Sequence, residues 1–268
     1  MLTRTRQRTR SAGAELEADE LRSAGIHVHF EGVKAVDGVD LTLRRGELLG
    51  LIGPNGAGKT TLVNALTGYE RPTAGQVFLG DLDVTGWVPH RLGPMGMART
   101  FQAVRLFDEL TALENVEMGA LGVGMRRKVA RQQAWELLDR MGIADKAHQL
   151  ASSLPYGDER KLGFLRALST RPVFLLLDEP AAGLNEVESD ELMLAIGSIR
   201  DDFGCGILVI EHDMRLIMGL CERIQVLDYG KTISEGSPSE VQADEAVIAA
   251  YLGRKGMQAA DGQADAGD

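Results

Sequence analysis

Cysteine, basic charge and long apolar runs are all scarce in this chain, and each shortage closes off a class of protein. Its two cysteines in 268 residues, Cys205 and Cys221, lie far apart with no CxxC pair, so neither a disulfide framework nor a zinc site is indicated. A reduced cytoplasmic setting fits this usage. No apolar stretch approaches the roughly 18 residues that span a bilayer, and the opening "MLTRTRQRTRSAG" lacks the apolar core of a secretory signal. Any membrane role is therefore expected to be peripheral. With 29 Lys and Arg against 39 Asp and Glu, the formal charge is -10. Together with a pI near 5.1, this argues against wrapping nucleic acid, which needs a basic face. No repeat of twenty to fifty residues is present.

What is present is 44% apolar residues, enough for a core in a chain of this length. Residues 1–22 pair an arginine-rich run with the acidic "ELEADE" and read as a disordered tail, as do residues 256–268. Between them, alternation in "GIHVHFEG", a turn at Arg45-Gly46 and the run "GQVFLGDLDV" predict a small N-terminal antiparallel sheet. Short apolar runs at Val173 to Leu177, Gly206 to Ile210 and Ile224 to Leu227 alternate with helical patterns such as Glu186 to Arg200. That predicts an α/β domain over 23–255 with a mostly parallel sheet and helices on both faces. Residues 108–168 have helical pattern throughout and read as a helical insertion. Near the end, "SPSEVQADEAVIAAYLG" predicts a final helix with Ser237 as N-cap, Pro238 in the first turn and Glu240 three residues after the cap.

Chemistry concentrates in two places. "GPNGAGKT", Gly53, Pro54, Asn55, Gly56, Ala57, Gly58, Lys59 and Thr60, fits GxxxxGK[ST] in full, with a strand pattern before it and a helix pattern from Thr61 onward. Glycines let successive backbone N–H groups face one anion, at the N-terminus of a helix. Lys59 can then reach the terminal phosphates while the Thr60 hydroxyl ligates Mg2+. In "PVFLLLDEPAAGLN" a five-residue apolar strand ends in Asp178 and Glu179 at the carboxyl edge, where ligands sit in such sheets. Asp178 suits Mg2+ through its water shell, and Glu179 can take a proton from an attacking water. Adjacent acids on a strand point to opposite sides, which gives them separate roles.

Taken in order, the phosphate loop, Gln102 in "RTFQAVRLF", the run "LPYGDERK", "LLLDEP" with "AAGLN", and His212 ending "GILVIEH" resemble the ATP-binding-cassette ATPases over Ile26 to Gly253. Within that family "IEHDMRLIMGLCERIQVLDYG" and the ending "VIAAYLG" look like the ATPase subunits of branched-chain amino-acid uptake systems. The resemblance implies a P-loop NTPase core and two ATPase subunits, alike or different, closing on ATP. It also implies two membrane permeases above them, an extracytoplasmic binding protein and a place on the cytoplasmic face of the membrane. It makes Phe30 the aromatic that stacks on adenine, Gln102 a contact of Mg2+ and the attacking water, and His212 the switch that touches the terminal phosphate and orients Glu179.

The signature that caps the opposite subunit's ATP normally reads serine, glycine, glycine, glutamine, whereas here it is Pro155, Tyr156, Gly157 and Asp158. Proline brings neither hydroxyl nor N–H, and the Asp158 charge at a helix beginning near it opposes a phosphate, so a weaker cap is expected. Asn185 stands where the family commonly has aspartate. Val104, Leu106 and Phe107 either dock a partner or fill the core. "DMRLIMGL" reads as helix core. His27, His29, His90 and His148 match no motif, show no ligand spacing and receive no role. The resemblance implies branched-chain amino acids as the cargo, and a stretch from Asn115 to Leu154 shorter than in many members of that branch leaves room for urea, amides or another small polar solute as the alternative. A soluble cassette acting on nucleic acid or ribosomes usually carries two cassettes or a long insertion, and a small-molecule kinase would leave Gln102 and His212 unexplained.

Overall fold

Leu21, Ser23, Ile26 and Val28 are the buried positions of the first strand, and the slip from odd to even numbering falls at Gly25, whose φ is +55°. This computed structural model describes residues 18–251. Strand β1 runs Glu20–Phe30 and pairs antiparallel with β2, Val33–Arg44. It therefore starts inside the stretch expected to be tail. Leu21 is fully buried opposite Leu43 and Leu79, so the acidic run before it conceals a core residue. The rest of the expected N-terminal tail, and the expected tail at 256–268, lie outside the described residues.

The chain continues through β3 (Leu48–Ile52), α1 (Lys59–Leu66), β4 (Ala74–Leu79), β5 (Leu82–Asp83), α2 (Pro89–Leu92) and β6 (Met97–Arg99). Three helices follow, α3 (Ala112–Gly122), α4 (Arg127–Arg140) and α5 (Tyr156–Leu168). The chain then returns through β7 (Phe174–Asp178), α6 (Glu186–Phe203), β8 (Gly206–Ile210), α7 (Met214–Leu220), β9 (Arg223–Asp228), β10 (Lys231–Gly236) and α8 (Pro238–Ala243). One sheet has the order β2-β1-β4-β5 and is antiparallel; the other has the order β10-β9-β3-β8-β7-β6. The second is parallel except for the edge strand β10.

Both faces of that parallel sheet are buried, and the apolar residues divide between them with the two-residue period of a strand. Leu48, Ile52, Leu175, Leu177, Ile207, Val209, Ile224 and Val226 share one core with helices α3 to α7. Leu49, Leu51, Phe174, Leu176, Leu208, Ile210 and Leu227 share the other with α1 and the antiparallel sheet. Sheet and loop are thus fixed from both sides. Within the helical segment, fully buried Asn115 accepts from the Phe107 N–H at 2.9 Å and donates to the Phe107 carbonyl at 3.0 Å, tying that loop to α3. In the "DMRLIMGL" segment Leu216 and Ile217 are buried and Met214 and Met218 pack against the first core.

Ser237 caps α8 in a capping box with Glu240, as its spacing predicts. The single final helix expected after it is broken at Asp244, whose carboxylate accepts from the Ala246 N–H at 2.8 Å, and helix resumes over 245–251. Among the described residues no helix is long and apolar enough to cross a membrane.

Candidate functional site

Between β3 and α1 the backbone has no room for side chains at two glycines. A Cβ on Gly53, at φ +146°, would lie 2.1 Å from the Leu227 carbonyl oxygen, and one on Gly58, at φ +103°, would lie 2.3 Å from that of Ala35. The loop is wedged between β2 and the β9–β10 turn, and the Gly230 N–H donates to the Ala57 carbonyl at 2.9 Å. Pro54 and Ala57 are buried, Asn55 and Gly56 are exposed, and Thr60 and Thr61 sit exposed and half-buried on the first turn of α1. No side chain caps α1 and its first turn holds no acid. Its N-terminal dipole therefore faces the loop free of competing negative charge. Lys59 donates from Nζ to the carbonyls of Gly53 at 2.6 Å and Pro54 at 3.1 Å, bracing the loop from within.

Asp178 is the last residue of β7, and Glu179 lies beyond the strand at φ +48° with its N–H bonded to the Ile210 carbonyl. The expected separation of the two acids by strand alternation is corrected: the turn, not the pleat, sends them apart. A non-glycine residue in the left-handed region is strained, and such strain persists only where surrounding contacts enforce it. Asp178 Oδ2 accepts from Arg99 at 2.8 Å, with both side chains buried. Arg99 also donates to Asn64 Oδ1 at 2.5 Å and Thr67 Oγ1 at 3.2 Å. Sequence reasoning missed Arg99, since β6 is only three residues long; its signal is the arginine opening "RTFQ".

Gln102 donates from Nε2 to Glu179 Oε2 at 2.8 Å. The ring of His212 is exposed and lies 3.6 Å from Glu211, so Gln102, rather than His212, holds the Glu179 carboxylate here. Glu211, also missed, is buried and accepts from the N–H groups of Ala181 at 2.9 Å and His212 at 3.2 Å. Burial pushes its carboxyl above the ordinary range, and the nearby charge of Glu179 acts in the same direction.

Helix α5 begins at Tyr156 with Pro155 as N-cap, two residues earlier than expected. The Tyr156 hydroxyl donates to the Ala182 carbonyl at 3.0 Å and accepts from Arg160 Nε at 2.9 Å. Arg160 Nη1 in turn donates to the Gln102 carbonyl at 2.6 Å. Arg160 was invisible in the sequence as one more charged residue on a helix. The expectation that the Asp158 charge faces a phosphate is corrected too. Asp158 is buried against Lys146, whose pKa is raised chiefly by that hydrogen bond. Gly157 has no side chain to shield the turn, and the nearest group to a Cβ there would be the flexible Glu188 carboxylate at 3.0 Å. Asn185 caps α6 in a reciprocal box with Glu188.

Phe30 is 44% exposed at the tip of the β1–β2 hairpin, paired with Val33, which lies two residues before the Ala35 whose carbonyl meets Gly58. A cavity of about 670 Å3 opens between the Gln102 segment and α3 and α5, lined by Phe101, Val104, Phe107, Met118 and Arg160. Leu106 packs against the core instead. The alternative left open in the sequence therefore splits: Val104 and Phe107 face the cavity, and Leu106 fills the core.

The chain is similar to known proteins in both sequence and structure. A family model described as ABC transporter matches residues 36–182, and one described as branched-chain amino acid ATP-binding cassette transporter matches residues 231–256. The chain is 41% identical over 244 residues to the high-affinity branched-chain amino acid transport ATP-binding protein LivG of Salmonella typhimurium, covering 85% of this chain and 96% of that one. It is 38% identical over 248 residues to BraF of Pseudomonas aeruginosa, a protein of the same description, covering 87% and 97%. The crystal structure of an ABC transporter's ATP-binding cassette in its ADP conformation matches with a TM-score of 0.79 at 28% identity, covering 87% of this chain and 98% of that one.

Proposed function

The chain belongs to the ABC transporter family of ATPases, and from that premise we propose that it energises the import of branched-chain amino acids. The observation that carries the mechanism is the hydrogen bond from Gln102 to Glu179, made while α5 holds the carbonyl of the same Gln102 through Arg160. The group placed to activate water is thereby joined to the helical segment. Similarity to LivG and BraF supports the cargo.

The phosphates of ATP are received by the backbone amides of the Gly53 to Thr60 turn and by Lys59, once Lys59 leaves the carbonyls it braces. Glu179 takes the proton of the attacking water, with Gln102 fixing its carboxylate, and the products are ADP and phosphate. His212, exposed and next to Glu211, is free to turn toward a terminal phosphate. A cradle in which two glycines tolerate no Cβ, with hydroxyl and carboxylate donors nearby, fits a nucleotide with its divalent ion. Thr60, Gln102 and Asp178, the last through the oxygen Arg99 leaves open, would hold Mg2+, which neutralises phosphate charge when bound.

Pro155, Tyr156, Gly157 and the α5 dipole would cap the nucleotide of a second cassette, identical or related. Lys146 absorbs the Asp158 charge, which leaves Glu159 as the other acid in that first turn. The cavity lined by Val104 and Phe107 would seat a cytoplasmic segment of one of two permeases, fed by an extracytoplasmic binding protein. The chain would then sit peripherally on the cytoplasmic face of the membrane.

Glu179→Gln tests the chemistry: it should keep ATP binding, form an ATP-dependent dimer on size exclusion, and lose about 100-fold or more in turnover. Turnover at the parent rate would remove Glu179 as the base. Uptake of labelled leucine, isoleucine and valine by cells with and without the chain tests the cargo, and equal uptake would overturn that assignment.

A further inference from the structure

Away from the nucleotide cradle, three side chains with no part in hydrolysis converge. His27 and His29 are two residues apart on β1, so strand periodicity places both rings on one side. Asp37 lies on β2 in register with His27. His27 Nδ1 is 3.1 Å and His29 Nε2 3.8 Å from the same Asp37 Oδ1, and the donor atoms of all three lie within 4.8 Å of one another. This is the ligand spacing that the sequence reading denied these histidines. It was hidden because the third member lies across a hairpin.

Donor atoms on one tetrahedral ion at about 2.0–2.2 Å are separated from each other by about 3.3–3.5 Å. The two distances to Asp37 bracket that range, and the histidine donors lie within 4.8 Å of each other, so rotamer adjustment would close the site. The two rings meet edge-on, 5.6 Å apart at 88°. His27 is backed by Gly38, where a Cβ would stand 3.4 Å from the ring, so the ring's outer edge rests on bare backbone and Nδ1 is aimed at Asp37.

The competing groups are Lys34, 3.5 Å from Asp37, and Lys231, 3.6 Å from it. Both are mostly exposed, and exposed ion pairs of this kind contribute little because water screens them. They weaken attraction for a dication without filling the place between the imidazoles. Two imidazoles and one carboxylate suit zinc and its neighbours, whereas magnesium and calcium prefer all-oxygen sets.

We propose that His27, His29 and Asp37 form a three-ligand site for a zinc-class divalent ion, with the remaining position open to water. It would clamp β1 to β2 where their register is irregular between Val28 and His29, one residue from Phe30.

The test uses the full chain, freed of affinity tag and chelator-treated, at pH 7.5 without nucleotide. Zn2+ is titrated by calorimetry, and Co2+ is followed by its visible absorption. One equivalent should bind, with the absorption of tetrahedral cobalt. His29→Gln and Asp37→Asn should each weaken binding about 10–100-fold, the scale of a lost ligand interaction, and Lys34→Gln should strengthen it. Failure to bind either ion overturns the proposal. So does stoichiometric binding that His29→Gln leaves unchanged, because the ion then lies elsewhere. His29 and Lys34 are both at the surface, so these variants should fold even if a change at Asp37 does not.

Discussion

Replacing Arg99 with methionine isolates what this arginine does for Asp178. Their side chains are only 4% and 6% exposed and meet at 2.8 Å. Removing the cation leaves a buried carboxylate with no counter-charge, a loss of about 3–5 kcal/mol. Methionine keeps apolar contact with the Phe101 and Tyr69 rings, over which the guanidinium now lies at 4.8 and 5.6 Å, so the charge is the main thing lost. In a domain of this size each kcal/mol moves Tm by about 2–4 °C, so a fall of about 6–20 °C is expected. Asp178→Asn is milder at about 1–3 kcal/mol, because Arg99 keeps Asn64 and Thr67 as partners. Urea unfolding of the nucleotide-free protein, followed by circular dichroism, should show the double variant less damaged than the sum of the singles by at least about 1 kcal/mol. Costs that add within about 0.5 kcal/mol would show that the two groups do not depend on each other, and the pairing argument would fail.

Tyr156→Phe deletes the hydroxyl shared by Arg160 and the Ala182 carbonyl. Losing bonds to a charged group costs about 1.5–3 kcal/mol, so turnover should fall about tenfold or more while a fluorescent ATP analogue binds as before; unchanged turnover would make the network a bystander. Gly58→Ala forces a Cβ to within 2.3 Å of the Ala35 carbonyl at φ +103° and should weaken the same analogue at least about tenfold, about 1.4 kcal/mol. Normal affinity would mean that the loop relaxes freely. For Glu211 the folded pKa is raised from the ordinary 4.5, so the folded state holds that proton more tightly than the unfolded chain. Its contribution to stability is full below 4.5 and is lost as pH rises through the window above it. Glu211→Gln removes the loss, and its stability relative to the parent should climb across that window; a flat difference in chemical denaturation would refute the burial argument.

What could be read directly in the sequence is what is local in the chain. The phosphate loop, Asp178 with Glu179 and the cap at Ser237 each carry their chemistry within a few residues, whereas Gln102 was legible only through the family resemblance. Arg99 could not be read so, because its partner is 79 residues away and its strand is too short to show a period. Asp158 looked like an obstacle to an anion because Lys146, which absorbs its charge, belongs to a separate short turn. Leu21 was hidden by acidic neighbours, since one buried apolar position says little until its strand partners are known. His27 and His29 failed as ligands on spacing alone, and only the hairpin brings in Asp37.

The strained backbone at Glu179 makes sense once the holds on its turn are considered together. The Glu179 N–H is fixed to β8 through Ile210, Ala181 to Glu211, Ala182 to Tyr156, and the Glu179 carboxylate to Gln102. Two of these holds, those through Tyr156 and Gln102, lead to α5, and Arg160 binds both partners at once. A left-handed glutamate can be kept only while such contacts outnumber its freedom to relax. A displacement of α5 relative to the parallel sheet would therefore act on the carboxylate from two directions, through its side-chain partner and through the turn that carries it. Among the described residues nothing comparable ties α5 to Asp178, which is held by Arg99 from the sheet itself. Asp178, proposed to bind the ion, is thus placed by the core strands, and Glu179, proposed to accept the proton, is held jointly by β8 and the helical segment. In the proposed mechanism that division would let Glu179 respond to a docked partner without the nucleotide cradle being rebuilt.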